Sequence, residues 1–194
     1  MKTHSSKILI DNTCGLKFTE SPRWRDGTLW FLDIHDKRIK TADLDGKVET
    51  AVELGFIPNG IVITPDGKTL IVAETMGHRL TAFDVLRDGS LARRRVFAQL
   101  PEDVSPDGIA LDAEGAVWLA NPEGKFGVLR AREGGEIAER VELDTEGYAV
   151  MLGGPERRHL FICASDSHDP AAIARAPSAT LRVVEVEVSG AGTP

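Results

Sequence analysis

A plan of short apolar strand, turn, second apolar strand and polar exit recurs four times in this chain. Its copies are ESPRWRDGTLWFLD, NGIVITPDGKTLIVAE, DGIALDAEGAVWLAN and YAVMLGGPERRHLFICAS. The second strands begin at Leu29, Leu70, Val117 and Leu160, at spacings of 41, 47 and 43 residues. A repeat of this length means that each copy is one supersecondary unit that must bury its faces against its neighbours. The second strands (LWFL, LIVA, VWLA, LFICA) are nearly continuous in apolar residues, so both of their faces are covered. Third strands follow in RIKTADLDG and RLTAFDV, and a fourth in KVETAVEL, while no long 3.6-residue pattern occurs. Four-stranded units of about 40–45 residues stacked in this way read as a β-propeller, with another all-β sandwich or barrel as the competing fold. The expectation is an all-β chain in which residues 1–194 form one β-propeller domain of about four recognisable four-stranded blades.

Bulk properties narrow the function classes. A length of 194 residues with 42% hydrophobic content suits a single domain with its own core. The net charge of -7 and the lack of any basic cluster interleaved with aromatics argue against a nucleic-acid partner. No apolar run approaches the roughly 18 residues that span a bilayer, and MKTHSSKILIDN lacks the apolar centre of a signal peptide. The chain is therefore read as soluble and cytoplasmic, without a membrane partner. Cys14 and Cys163 have no metal-ligand spacing, and Cys163 sits inside LFICA, so both thiols are read as buried and inert. His4, His35, His78, His159 and His168 share no ligand spacing either and read as loop and surface residues.

Two kinds of Asx-Gly emerge once the units are aligned. Asp26-Gly27, Asp66-Gly67 and Glu114-Gly115 fall between first and second strands, where a hairpin needs residues that tolerate positive φ. Asn59-Gly60 and Asp107-Gly108 instead lie eight residues before the turn glycine, at the start of the first strand. In a propeller that strand lines the central channel, so its opening residues ring one mouth. Glu20 lies seven residues before Gly27, one out of phase, with a longer side chain that compensates; counting back in the fourth unit reaches Ala149. Two carboxylates and an amide oxygen on one mouth make a hard-oxygen site suited to Ca²⁺, with Mg²⁺, Mn²⁺ or Zn²⁺ as alternatives.

The segments FTESPRWRDGTLWFLDIHDKRI, PNGIVITPDGKTLIVAETMGHRLTAF, SPDGIALDAEGAVWLAN and GYAVMLGGPERRHLFICA carry a likeness that covers nearly the whole chain. The sequence resembles the senescence-marker-protein/gluconolactonase, or regucalcin-like, lactonase family. The resemblance implies a metal-dependent propeller, normally six-bladed, that hydrolyses sugar-acid and related lactones. It assigns the metal ligands to Glu20 (the ESP motif), Asn59 (NG) and Asp107 (PDG). It also implies that two blades between Glu20 and Asn59 are missing, as in an internal deletion, together with an Arg and an Asn that contact substrate in the family.

In that chemistry the metal polarises the lactone carbonyl and binds the attacking water, and Asp107 takes the proton. No Gly-x-Ser-x-Gly or His-Glu-x-x-His motif offers another hydrolytic route. Asp33, Glu74 and Asn121, at the exits of the second strands, are expected either to orient ligands or substrate or to cap strand ends. Arg23 is a candidate contact for an anionic sugar acid, against a packing role. Two other readings stand beside the enzyme: a non-catalytic Ca²⁺-binding or protein-interaction propeller, and an inactive shortened relative. Four blades are expected to form an open or strained ring, whose unpaired blade faces favour self-association.

Overall fold

The computed structural model describes residues 9, 10, 12–123 and 127–192, and His4 lies outside them. Four antiparallel sheets follow one another along the chain. Blade 1 comprises β1 (Thr19–Arg25), β2 (Thr28–Asp33), β3 (Arg38–Ala42) and β4 (Val48–Glu53). Blade 2 comprises β5 (Pro58–Ile63), β6 (Thr69–Glu74), β7 (Arg79–Val85) and β8 (Leu91–Gln99). Blade 3 comprises β9 (Ile109–Leu111), β10 (Val117–Ala120), β11 (Val128–Ala131) and β12 (Ile137–Val141). Blade 4 has three strands, β13 (Glu146–Gly153), β14 (His159–Ser165) and β15 (Thr180–Glu185), with the short helix α1 (Pro170–Arg175) before the last. The described residues beyond β15 do not add a fourth strand there. They turn back toward blade 3, where Ala191 N–H donates to the Leu111 carbonyl and Gly190 bridges to Asp112.

Turn chemistry sets the hairpins. Arg25 pairs directly with Thr28, leaving Asp26 (φ 48°) and Gly27 (φ 80°) as a two-residue turn with both residues left-handed. That geometry matches strand twist and explains why Asp-Gly stands there. In blade 2 the corresponding connection is two residues longer, from Thr64 to Thr69.

The continuous apolar second strands do cover both faces. Trp30, Leu32 and Ile39 of blade 1 pack on Ile61, Leu70, Val72 and Phe83 of blade 2. The opposite side of blade 2 (Ile71, Ala73, Leu80, Ala82) meets Val117, Leu119 and Leu129 of blade 3. Trp118, Ala120 and Val128 then meet Val150, Leu152, Leu160 and Ile162 of blade 4. Each seam is a dry core of the kind that supplies most folding free energy.

The inner strands β1, β5, β9 and β13 line one shared cavity, so the four blades surround a common axis. Among the described residues, however, the cores number three, and none joins blade 4 to blade 1. On the free face of blade 1, Leu29 and Phe31 share a groove with Leu9, Ile10 and Leu16 of the N-terminal segment. On the free face of blade 4, Leu181 is 71% and Val183 is 56% exposed. Cys163 pairs with Leu181 on that same face and is exposed, as is Cys14, which corrects the expectation of buried thiols. An apolar run such as LFICA predicts two covered faces, and at an end blade only one neighbour is there to cover them.

Candidate functional site at the channel mouth

Strand register defines the equivalent positions of the four inner strands. Trp24 pairs with Leu29, Ile63 with Leu70, Leu111 with Val117, and Leu152 with Leu160. Four residues upstream of those inner-strand partners stand Glu20, Asn59, Asp107 and Tyr148. Glu20 is therefore in phase with Asn59 and Asp107, and its apparent offset comes from the shorter hairpin at Asp26-Gly27. The fourth equivalent is Tyr148, with Ala149 matching Gly60 and Gly108, so the count that reaches Ala149 stops one residue short. Hydrogen bonds confirm the alignment. Gly60 N–H donates to the Asp107 carbonyl (3.1 Å) and Gly108 N–H to the Tyr148 carbonyl (2.9 Å), while Ser21 Oγ donates to the Asn59 carbonyl (3.4 Å).

The glycines of the second Asx-Gly type serve close approach rather than turning. A Cβ on Gly60 would lie 2.6 Å from Ile109 N, and one on Gly108 would lie 2.8 Å from Ala149 Cα. Inner strands thus meet backbone to backbone just below the mouth.

Electrostatics single out two of the four mouth residues. Burial, then the neighbouring Glu20 carboxylate, push the Asp107 carboxyl up from 3.8 to about 7, against a smaller opposing pull from Gly108 N–H. No ion pair reaches Glu20 or Asp107 among the described residues, although Asp33, Glu74 and Asp112 are each paired with a Lys or Arg. Two like charges brought together without a counter-cation, beside an amide oxygen, form a donor set that fits a hard divalent cation. The fit rests on that donor chemistry; no group of three or more His, Cys, Asp or Glu side chains with metal-holding geometry occurs among the described residues.

Asp33, Glu74 and Asn121 are all buried and held by the protein itself. Asp33 accepts from Lys17 N–H and Phe18 N–H (3.0 Å to Phe18) and from Lys40 Nζ (2.8 Å). Asn121 Oδ1 accepts from Ser105 N–H (2.9 Å). Phe18 and Ser105 each lie two residues before a mouth carboxylate, Glu20 and Asp107, so these two side chains clamp the segments that deliver them. Glu74 instead binds Arg79, Arg94 and Thr81, and in that blade Thr75 Oγ1 makes the cross-link, donating to the Pro106 carbonyl (2.9 Å).

Tyr148 carries a polar group that sequence reading missed. Its hydroxyl bonds the Glu146 carboxylate and lies 3.4 Å from His168 Nδ1, so a phenol, a carboxylate and an imidazole gather on the blade 4 side of the mouth. Burial, Glu146 and Asp107 in that order push the phenol pKa up, which keeps it a protonated donor. The available signal was register: counting from the strand pair rather than the turn glycine reaches Tyr148. Arg23 is placed elsewhere, three residues down β1 and lining the cavity toward the hairpin end of the channel.

A family model described as SMP-30/Gluconolactonase/LRE-like region matches residues 41–166. The chain belongs to this family. Among its relatives, regucalcin of Oryctolagus cuniculus is 27% identical over 152 residues, covering 76% of this chain and 51% of that protein. The 6-deoxy-6-sulfogluconolactonase of Pseudomonas putida is 26% identical over 147 residues, covering 74% and 50%. A solved structure described as a calcium-binding protein, regucalcin, from Agrobacterium tumefaciens superposes with a TM-score of 0.71 at 26% identity, covering 91% of this chain and 63% of that one. The chain thus spans about half the length of the curated relatives it matches.

Proposed function

We propose that this member of the SMP-30/gluconolactonase family is a metal-dependent hydrolase of small sugar-acid or related lactones, working at the channel mouth. The observation that carries the reading is the Glu20–Asn59–Asp107 set: equivalent positions on three successive blades, two of them carboxylates without a cationic partner. These three residues would hold the cation, Ca²⁺ in the first instance, with Mg²⁺, Mn²⁺ or Zn²⁺ as alternatives. When bound, the cation supplies Lewis-acid polarisation of the lactone carbonyl and charge stabilisation as the tetrahedral centre forms. Asp107, the more deeply buried of the two mouth carboxylates, takes the proton from the attacking water. Asp33 and Asn121 fix the segments entering Glu20 and Asp107, so they position these residues without touching substrate. The Tyr148 hydroxyl, with Glu146 and His168, offers mixed donors and acceptors to the hydroxyl groups of a polyol lactone.

Support for the lactone class comes from the family and from relatives such as the sulfogluconolactonase. The test is proton release from a panel of sugar lactones with and without chelation. Activity is expected to vanish on chelation and in Asp107→Asn. Hydrolysis that survives both would remove the proposal. Likeness to a solved protein described as calcium-binding favours one second reading, a cation-binding propeller without turnover. Calorimetric Ca²⁺ binding by a protein inert toward the whole panel would establish that reading instead.

A further inference from the structure

The channel holds a second feature, remote from the mouth. A cavity of about 90 Å³ is walled by inner-strand residues two to five positions downstream of the mouth ring: Arg23 and Arg25 of β1, Val62 and Ile63 of β5, Ile109 to Leu111 of β9, and Met151 and Leu152 of β13. Arg157, from the β13–β14 hairpin, closes it with Ala191. Among the described residues, three arginines and no carboxylate line this space, in a chain whose net charge is -7.

Among the described residues, none of the three cations has a buried counter-charge. Arg23 is half-buried, and its hydrogen bond goes to the adjacent Pro22 carbonyl (3.0 Å). Arg157 spends its guanidinium on the carbonyls of Gly190 and Ala191. Neither Arg23 nor Arg157 makes an ion pair among the described residues. Arg25 donates to the Thr64 and Pro65 carbonyls, while its buried Nε makes no hydrogen bond but faces the Asp26 carboxylate. Its nearest acid is Asp26 at 3.3 Å, whose side chain is 87% exposed, and a solvated partner of that kind contributes little. Burial lowers the Arg23 pKa, the expected response of a cation taken from water without a counter-charge.

We propose that this cavity is a binding site for a small oxyanion of the carboxylate or phosphate class, held by Arg23 and Arg157, with Arg25 adding positive charge at its wall. Guanidinium groups bind planar or tetrahedral oxyanions through paired N–H donors, and low-dielectric walls strengthen the attraction. The volume is below the roughly 300–1,000 Å³ of pockets for drug-sized ligands, which limits the occupant to an inorganic ion or a short acid. The apolar side chains of Val62, Ile109 and Met151 suit the carbon stem of a short monocarboxylate. The site does not rest on the hydrolase reading, since it shares no residue with the mouth.

Isothermal titration of the full chain with inorganic phosphate and, separately, with propionate tests the assignment, chloride serving as the background anion. Saturable binding of at least one probe is expected, one per chain. It should weaken about tenfold or more, about 1.4 kcal/mol, in Arg23→Gln and in Arg157→Gln. Asp107→Asn should bind as the wild type does. Preference for propionate assigns the site to carboxylates, and preference for phosphate to phosphates. Melting curves without anion check that the arginine variants remain folded. Absence of saturable binding to the wild-type chain, or equal affinity in a folded Arg23→Gln variant, would overturn the proposal.

Discussion

Without a cation, ionising Asp107 sets two carboxylates against each other in a half-buried position, and the cost is open to measurement. Its folded-state pKa is about 7, against an ordinary value of 3.8. Between pH 4 and 7 the folded chain keeps a proton that the unfolded chain has released. Stability of the metal-free protein therefore falls as pH rises through that window and levels off above it. A shift of about three units corresponds to about 4 kcal/mol at 1.36 kcal/mol per unit, and partial solvation of the group brings the expectation to about 2–4 kcal/mol. That is a large share of a total stability of about 5–15 kcal/mol. Asp107→Asn keeps the shape and removes the ionisation, so its stability should lack this slope. The assay is urea denaturation in excess chelator at pH 5 and pH 8, on both proteins, so that other titrating groups cancel in the difference. Only the two units between pH 5 and the folded pKa fall inside this interval, so wild type should lose about 1–3 kcal/mol more than the variant and be the less stable protein at pH 8. Calcium at pH 8 should then stabilise wild type by mass action and leave Asp107→Asn nearly unmoved. Parallel pH profiles for the two metal-free proteins would refute the argument, because they would mean that Asp107 is neither desolvated nor opposed by Glu20.

Three further outcomes are expected. Gly108→Ala should destabilise by about 1–3 kcal/mol, since its Cβ would press on the Ala149 backbone at 2.8 Å, whereas Gly55→Ala, with nothing within 4 Å, should be nearly neutral in thermal melting. Asn121→Ala leaves the buried Ser105 N–H unpaired and should cost about 1–3 kcal/mol in urea denaturation, with divalent-cation affinity falling about 10–100-fold by calorimetry. Through the free face of blade 4 the chain should self-associate with a second copy, Leu181, Val183 and Cys163 of each meeting across the contact; light scattering should show a mass above the monomer that Leu181→Lys with Val183→Lys abolishes, and a wild-type chain monomeric at high concentration would contradict this.

Much of the fold was readable because the signals are local. LWFL, LIVA and VWLA carry apolar side chains on both faces, and that alone requires stacked sheets. Asp26-Gly27 marks its hairpin through positive φ at two successive residues. What could not be read depends on register and on neighbours. The four-residue phase that relates Glu20, Asn59, Asp107 and Tyr148 follows from strand pairing, and a hairpin two residues shorter in blade 1 hides it from any count based on glycines. Cys163 reads as buried because a sequence cannot announce that its blade has a neighbour on one side only. Arg23 looked like a mouth residue in ESPRW, yet three residues along a strand carry a side chain about 10 Å toward the other end of the channel.

The residue after each mouth position is the link between packing and chemistry. In chain order these residues are Ser21, Gly60, Gly108 and Ala149, and larger side chains have no room at the two glycines. Gly60 sits against the backbone of Asp107 and Ile109, and Gly108 against that of Ala149, so each inner strand is pinned to the next at one height. Ser21 takes the same place at φ 52°, reaching Asn59 through its side chain. Because the mouth residue lies one position above each pin, Glu20, Asn59 and Asp107 come to a common level as a direct result of how the blades pack. Relaxing that packing by enlarging Gly60 or Gly108 would expose Asp107 and separate it from Glu20, lessening the burial and the repulsion that together lift its pKa to about 7, and would weaken the donor set together with the core beneath it. The mouth and the inner-strand seams therefore form one cooperative unit, which is why a backbone contact and not a polar side chain is the residue-level requirement shared by blades 2 and 3.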